Sequence, residues 1–205
     1  MTIDRRRLLE FALGLAVAPI GAMTARAQSP AVSRTTAYAF SFRDLNGSDF
    51  RLVQHAGKPI LIVNTASLCG YVRQFSGLES LWTRYRERGL LVLGVPSNDF
   101  GAQEPGSAAD IRHTAHAHGV TFPLMSKVDV KGETAHPFYR WAALQRPLDT
   151  PRWNFHKYLV GRDGMIAGAF GSAIDPLDPK LVAAIERELA GGQPGGSTKW
   201  PSGHG

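Results

Sequence analysis

Cysteine is almost missing from this chain: its 205 residues hold one, Cys69. A single thiol excludes an intramolecular disulfide and any zinc or iron–sulfur centre built from several cysteines. Long hydrophobic runs are missing too. The uncharged stretch from Phe11 to Thr24 is broken by Gly14, Pro19 and Gly21 and falls short of the roughly 20 apolar residues that span a bilayer. No block of Lys and Arg interleaved with aromatics occurs after residue 27, so a nucleic-acid partner is not expected. What is present is ordinary for a globular domain, with 43% hydrophobic and 20% charged residues, enough to bury a core.

The two ends differ from the middle. Asp4-Arg5-Arg6-Arg7-Leu8-Leu9 precedes the short apolar run, and Ala25-Arg26-Ala27 offers a small-x-small cleavage pattern. Residues 1–27 read as a cleavable export signal of twin-arginine type. Asp4 stands where a Ser or Thr is usual, and Glu10 where a lysine is common. Periplasmic or secreted localisation follows as the expectation, with residues 28–35 as a linker and no lasting membrane insertion after cleavage. Removing 1–27 takes four arginines and two acids with it, leaving 19 basic and 15 acidic residues and a net charge of +4 instead of +6. Residues 191–205 are rich in Gly, Ser and Pro and read as a flexible tail.

Residues 36–190 alternate strand and helix signals. Tyr38–Phe42 and Asp49–Leu52 flank Asn46-Gly47, a hairpin signal. Pro59–Asn64 and Leu90–Val95 are short apolar runs suited to strands buried on both faces. Between them Leu78, Leu81, Trp82 and Tyr85 recur at helical spacing over Phe75–Arg88, and Gly89 marks the end. Further helices are expected at Ala108–His118, His136–Leu144 and Leu177–Leu189. A strand or extended segment is expected at Phe122–Val130, and a hairpin from His156–Gly161 and Met165–Phe170. The order is hairpin, βαβ, βα, hairpin, helix: an α/β domain with a mixed sheet and helices on both faces.

Cys69 follows the first buried strand and precedes both Gly70 and a helix. Catalytic groups of open α/β sheets gather at such strand ends, and the helix's positive end favours a thiolate. A lone cysteine in an arbitrary protein is more often a small buried hydrophobe. His113, His116 and His118 share one short helix, but no carboxylate completes a metal pattern, so a solvated helical face is expected and no metal site.

Three motifs in order go further. They are Asn64-Thr65-Ala66-Ser67-Leu68-Cys69-Gly70, Pro96-Ser97-Asn98-Asp99-Phe100-Gly101-Ala102-Gln103-Glu104-Pro105-Gly106, and Trp153-Asn154-Phe155-His156-Lys157-Tyr158-Leu159. With Gly119–Pro123 and His136–Tyr139 between them, the chain resembles the glutathione peroxidase family over about three quarters of its length. The resemblance implies a thioredoxin-like fold and a catalytic tetrad of Cys69, Gln103, Trp153 and Asn154. In that tetrad Cys69 attacks a hydroperoxide and becomes a sulfenic acid. The Gln103 and Asn154 amides and the Trp153 indole are neutral donors for the negative charge.

The departures from the family pattern carry consequences. Asp99 replaces the usual Gln of Asn-Gln-Phe. A carboxylate beside the sulfur would oppose its ionisation, so Asp99 is expected to face solvent. Ser97 stands where a further cysteine is common, and Val72-Arg73 where Thr-Pro is common. No resolving cysteine occurs near Thr114-Ala115-His116. An external thiol, glutathione or a thioredoxin-like protein, must therefore close the cycle as co-substrate, with no bound cofactor. Arg73, Arg152 and Lys157 are candidate contacts for glutathione carboxylates. The short Gln145–Arg152 segment points to a monomer. A thiol–disulfide oxidoreductase or metallochaperone on this fold needs paired cysteines. A non-enzymatic redox sensor that passes oxidation to a partner thiol shares the first step and stays open.

Overall fold

A computed structural model describes residues 35–191. The export signal, all but one residue of the linker and all but one residue of the tail lie outside the described residues. Strands β1 (Ser41–Arg43) and β2 (Asp49–Arg51) pair antiparallel as a separate two-stranded sheet. The hairpin is shorter than the sequence suggests because Asp44 organises the turn: its Oδ1 accepts from Asn46 N and Ser48 N. Gly47 supplies the positive φ, +84°, that this closure requires. Tyr38 falls instead in a 3-10 turn, Ala37–Ala39.

The main sheet has the order β4-β3-β5-β6. Strands β3 (Ile60–Thr65) and β4 (Leu91–Pro96) run parallel, joined by helix α1 (Gln74–Tyr85). Strand β5 (Lys157–Val160) pairs antiparallel with β3, and β6 (Ile166–Phe170) antiparallel with β5. Every residue of β3, β4 and β5 is buried, as continuous apolar runs in a covered sheet should be. A 3-10 turn, Arg86–Arg88, extends α1 to Gly89, which ends it at φ +104°.

Side-chain alternation sorts β3 between two cores. Ile60 and Ile62 join Phe42, Leu93, Phe138, Trp141 and Tyr158 on one face. Leu61 and Val63 join Leu78, Leu81, Tyr85, Leu159 and Ile185 on the other. Helix α3 (Pro137–Gln145) thus covers the first face, and α1 with α4 (Pro179–Ala190) covers the second. Helix α2 (Ala108–Ala117) opens with a capping box between Ser107 and Asp110, which satisfies two otherwise orphaned groups at its start. The Phe122–Val130 segment does not become a strand of the sheet. It meets β4 in one isolated bridge, Gly94 to Leu124, and through Val128 N donating to Pro96 O, while Pro123 lacks the N–H a ladder needs. This mixed sheet, flanked by helices and preceded by a hairpin, is a thioredoxin-like architecture.

Candidate active site

Three loops meet at the carboxyl ends of β3 and β4. The first leaves β3 at Thr65 and carries Cys69 in turns that lead into α1: Val72 N donates to Cys69 O at 2.8 Å, and Phe75 N to Val72 O at 3.1 Å. Cys69 is 2% exposed and packs beside Ala66 and Phe75. Its Sγ accepts from Tyr71 N at 3.5 Å, a sulfur hydrogen bond of the kind that stabilises charge on the acceptor.

The second loop, between β4 and α2, is latched to the first. Leu68 N donates to Gln103 O at 3.0 Å, and Ser67 N to Glu104 Oε2 at 2.9 Å. Glu104 is buried. Its N–H donates to Asn98 Oδ1, closing the loop on itself, and its carbonyl accepts from Lys127 Nζ. Burial pushes the Glu104 carboxyl above its ordinary range, against the opposing bonds from Ser67 and the Lys127 charge.

The third loop enters β5 and is held by Asn64. Asn64 Nδ2 donates to Trp153 O at 3.1 Å, while its Oδ1 accepts from His156 N at 3.0 Å. Its main-chain carbonyl accepts from Phe155 N at 2.6 Å. Phe155 takes φ +62°, a strained conformation for a bulky residue. The strain is held by that bond and by a buried ring set edge-on to Phe75 at 5.3 Å.

The resemblance singled out four residues, and these loops carry them. Asn154 is fully buried, and its Nδ2 donates to Phe100 O at 3.3 Å and to Gln103 Oε1 at 3.0 Å. A carbonyl can only accept, so the Phe100 contact fixes the Asn154 amide orientation. Both Asn154 N–H donors are therefore engaged, and Gln103 turns its oxygen to Asn154, leaving its own NH2 for other partners. Asn154 Oδ1 is buried without a partner. Trp153 is 39% exposed, its ring 5.9 Å from that of Phe100. Gly101 beside it has φ +66°, and a Cβ there would stand 3.4 Å from the indole. Leu68 and Tyr71, which flank Cys69 and Gly70 in the first loop, are also exposed.

Two expectations are corrected. Asp99 is half-buried rather than turned wholly to solvent: its Oδ2 accepts from Val130 N at 2.6 Å and Lys131 N at 3.1 Å. Two converging main-chain N–H groups suit a carboxylate acceptor. Lys157 is no surface cation for glutathione. It is fully buried, with Nζ donating to Gln74 Oε1 and Ile174 O, because β5 turns it toward the first turn of α1. Burial lowers it to about 8. Arg73 and Arg152 do remain exposed, and His113 and His116 lie on the solvent side of α2. Asn64, Glu104 and Lys127 hold the site but had no assigned role. A polar side chain ending an otherwise apolar strand and an acid inside a Gly/Pro-rich loop were the signals for the first two.

Known proteins share this organisation. A hydroperoxy fatty acid reductase of Synechocystis sp. is 40% identical over 169 residues, 78% of this chain and 99% of the relative. A glutathione peroxidase homologue of Bacillus subtilis is 40% identical, covering 73% of this chain and 98% of its own. The crystal structure of Trgpx in apo form superposes with a TM-score of 0.63 at 34% identity, over 77% of this chain and 97% of that one. A thioredoxin-family thiol:disulfide interchange protein of Chlorobium tepidum, 16% identical over 73% of this chain and 92% of its own, shares the fold with a TM-score of 0.56. The glutathione peroxidase profile matches residues 37–143. Sequence order, fold and these relatives agree that this chain belongs to the glutathione peroxidase family and is a peroxidase, an oxidoreductase.

Proposed function

We propose that Cys69 is the nucleophile of a thiol-dependent peroxidase that reduces hydrogen peroxide and organic or lipid hydroperoxides. The observation that carries this is the convergence of three latched loops on the chain's one thiol. The Cys69 thiolate attacks the terminal peroxide oxygen. The O–O bond breaks, an S–O bond forms, and the leaving alkoxide or hydroxide takes a proton to depart as alcohol or water. Sulfur is oxidised to the sulfenic acid and the peroxide is reduced. The Gln103 NH2 and the Trp153 indole N–H are the donors for this charge. Asn154, with both N–H groups engaged, orients Gln103.

The cycle closes through other molecules. An external thiol displaces water from the sulfenic acid and leaves a mixed disulfide. A second thiol then releases Cys69 and carries away the disulfide product. Glutathione or a thioredoxin-like protein fits this role, and no bound cofactor is needed. The named activity of the Synechocystis relative supports fatty-acid hydroperoxides among the substrates. The arginine-led N-terminus supports export to the periplasm or beyond, and the short Gln145–Arg152 segment supports a monomer.

The test compares reduced protein with Cys69→Ser. Wild type is expected to consume hydroperoxide with a glutathione or thioredoxin-like reductant and to trap as a sulfenic acid in its absence. If it consumes peroxide no faster than the serine variant, the proposal fails. Rapid trapping without turnover by any thiol would make the chain a sensor instead.

A further inference from the structure

Between α3 and the loops at 130–132 and 150–151 lies a cavity of about 460 Å³, the size of a small-molecule site. Its walls are largely apolar: Val130, Ala135, Ala143, Leu144 and Pro151 line it. Leu144 is 81% exposed, apolar surface of the kind that marks a binding groove when it borders a concavity. Charge enters with one sign. Lys131 and Arg140 line the cavity and no acid does. Neither cation forms an ion pair among the described residues. Arg140 Nη1 donates to the Glu133 main-chain carbonyl at 3.1 Å, which leaves its charge uncompensated. Tyr139 adds a wall whose hydroxyl is buried without a partner, although buried tyrosine hydroxyls normally find one.

The cavity adjoins the catalytic loops. Lys131 Nζ sits 4.7 Å from the Phe100 ring centroid, and that ring is 5.9 Å from the Trp153 ring. Pro151, on its wall, is two residues before Trp153.

We infer that this cavity holds the carboxylate end of a free fatty acid hydroperoxide while its peroxide reaches Cys69 past Phe100 and Trp153. The inference rests on the peroxidase reading of Cys69. The walls suit an acyl chain, and the carboxylate meets two unpaired cations. An uncharged ligand would leave both cations unmatched, and charge matching of this kind sets which ligand is chosen.

The test uses the full chain. Dodecanoate, below its micellar concentration, is titrated calorimetrically into wild type, Arg140→Glu and Ala143→Phe. The first variant reverses a charge and the second fills the cavity. Saturable binding is expected in wild type, weakened about tenfold or more in each variant, the cost of one lost ion pair or contact. In parallel, linoleic acid hydroperoxide is compared with its methyl ester. Wild type is expected to favour the acid through a lower KM, and Arg140→Glu to lose that preference. Absence of saturable dodecanoate binding, or binding and acid-to-ester ratio unmoved by both variants, overturns the inference. If no peroxide is consumed at all, the peroxidase reading fails. Dodecanoate then decides alone: binding weakened in both variants sustains a fatty-acid site, and unchanged binding removes it.

Discussion

Asn154 illustrates how much a single amide orientation decides. Its two N–H groups go to Phe100 O and Gln103 Oε1, so its effect on peroxide passes through Gln103. Asn154→Ala and Gln103→Ala are each expected to slow peroxide reduction about 100-fold, as loss of a charge-stabilising donor does. The double variant should be little slower than either single one, because residues acting as a unit are not additive. Rapid-mixing rates for the three variants check this, and full multiplicativity would separate the two roles. His156, two residues on, reports on pH. Burial first, then the Lys157 charge, lowers it to about 4, with Asp149 pulling the other way. The unfolded chain therefore binds this proton earlier than the folded one. Stability from this group is complete above about 6.5 and is lost as pH falls toward 4, by roughly 3 kcal/mol. Glu104 has the opposite sign, since its folded carboxyl is raised and protonates first in the fold. Denaturant melts across this range should show the acid loss in wild type and a flatter profile in His156→Gln.

At the scale of elements, the end of β3 does more than lead to Cys69. Asn64, next to last in the strand, ties down Trp153 O and His156 N through its side chain. Asn64→Ala leaves the buried His156 N and the part-buried Trp153 O without these partners, a loss on the order of 3 kcal/mol. Urea unfolding is expected to show that loss, and the peroxidase rate should fall with it because the Trp153–Asn154 loop is released. Unchanged stability would show that the loop is held elsewhere. Elements of strong periodicity were legible beforehand. β3 and β4 fall within a residue of their apolar runs, and the expected Phe75–Arg88 helix is α1 followed by the Arg86–Arg88 3-10 turn, which Gly89 ends as its lack of a Cβ allows. The first hairpin was overextended because Asp44 closes its turn by side-chain bonds that strand periodicity does not register. Phe122–Val130 was half legible, its apolar residues being needed for the core but its proline barring a full ladder.

Across the whole molecule, one thiol imposes one stoichiometry. One equivalent of peroxide followed by one equivalent of glutathione should place at most one glutathione on each chain, at Cys69, and none on Cys69→Ser. Intact-mass spectrometry reads this directly, and a second adduct is chemically excluded by the cysteine count. The sequence by itself determined that count, the βαβ frame and the order of three motifs, since composition and local periodicity are properties of the chain alone. It also marked Cys69, Gln103, Trp153 and Asn154 through the three motifs that carry the family resemblance. Tertiary structure alone decided which way the Asn154 amide points, that Asp99 serves the 130–131 backbone, and that Lys157 is buried. It also decided that Phe155 accepts a positive φ. Each of these depends on partners distant along the chain, as with Asp99 and Val130 at a separation of 31 and Asn154 and Phe100 at 54. No local pattern records which buried donor will meet which acceptor until the sheet has brought them together.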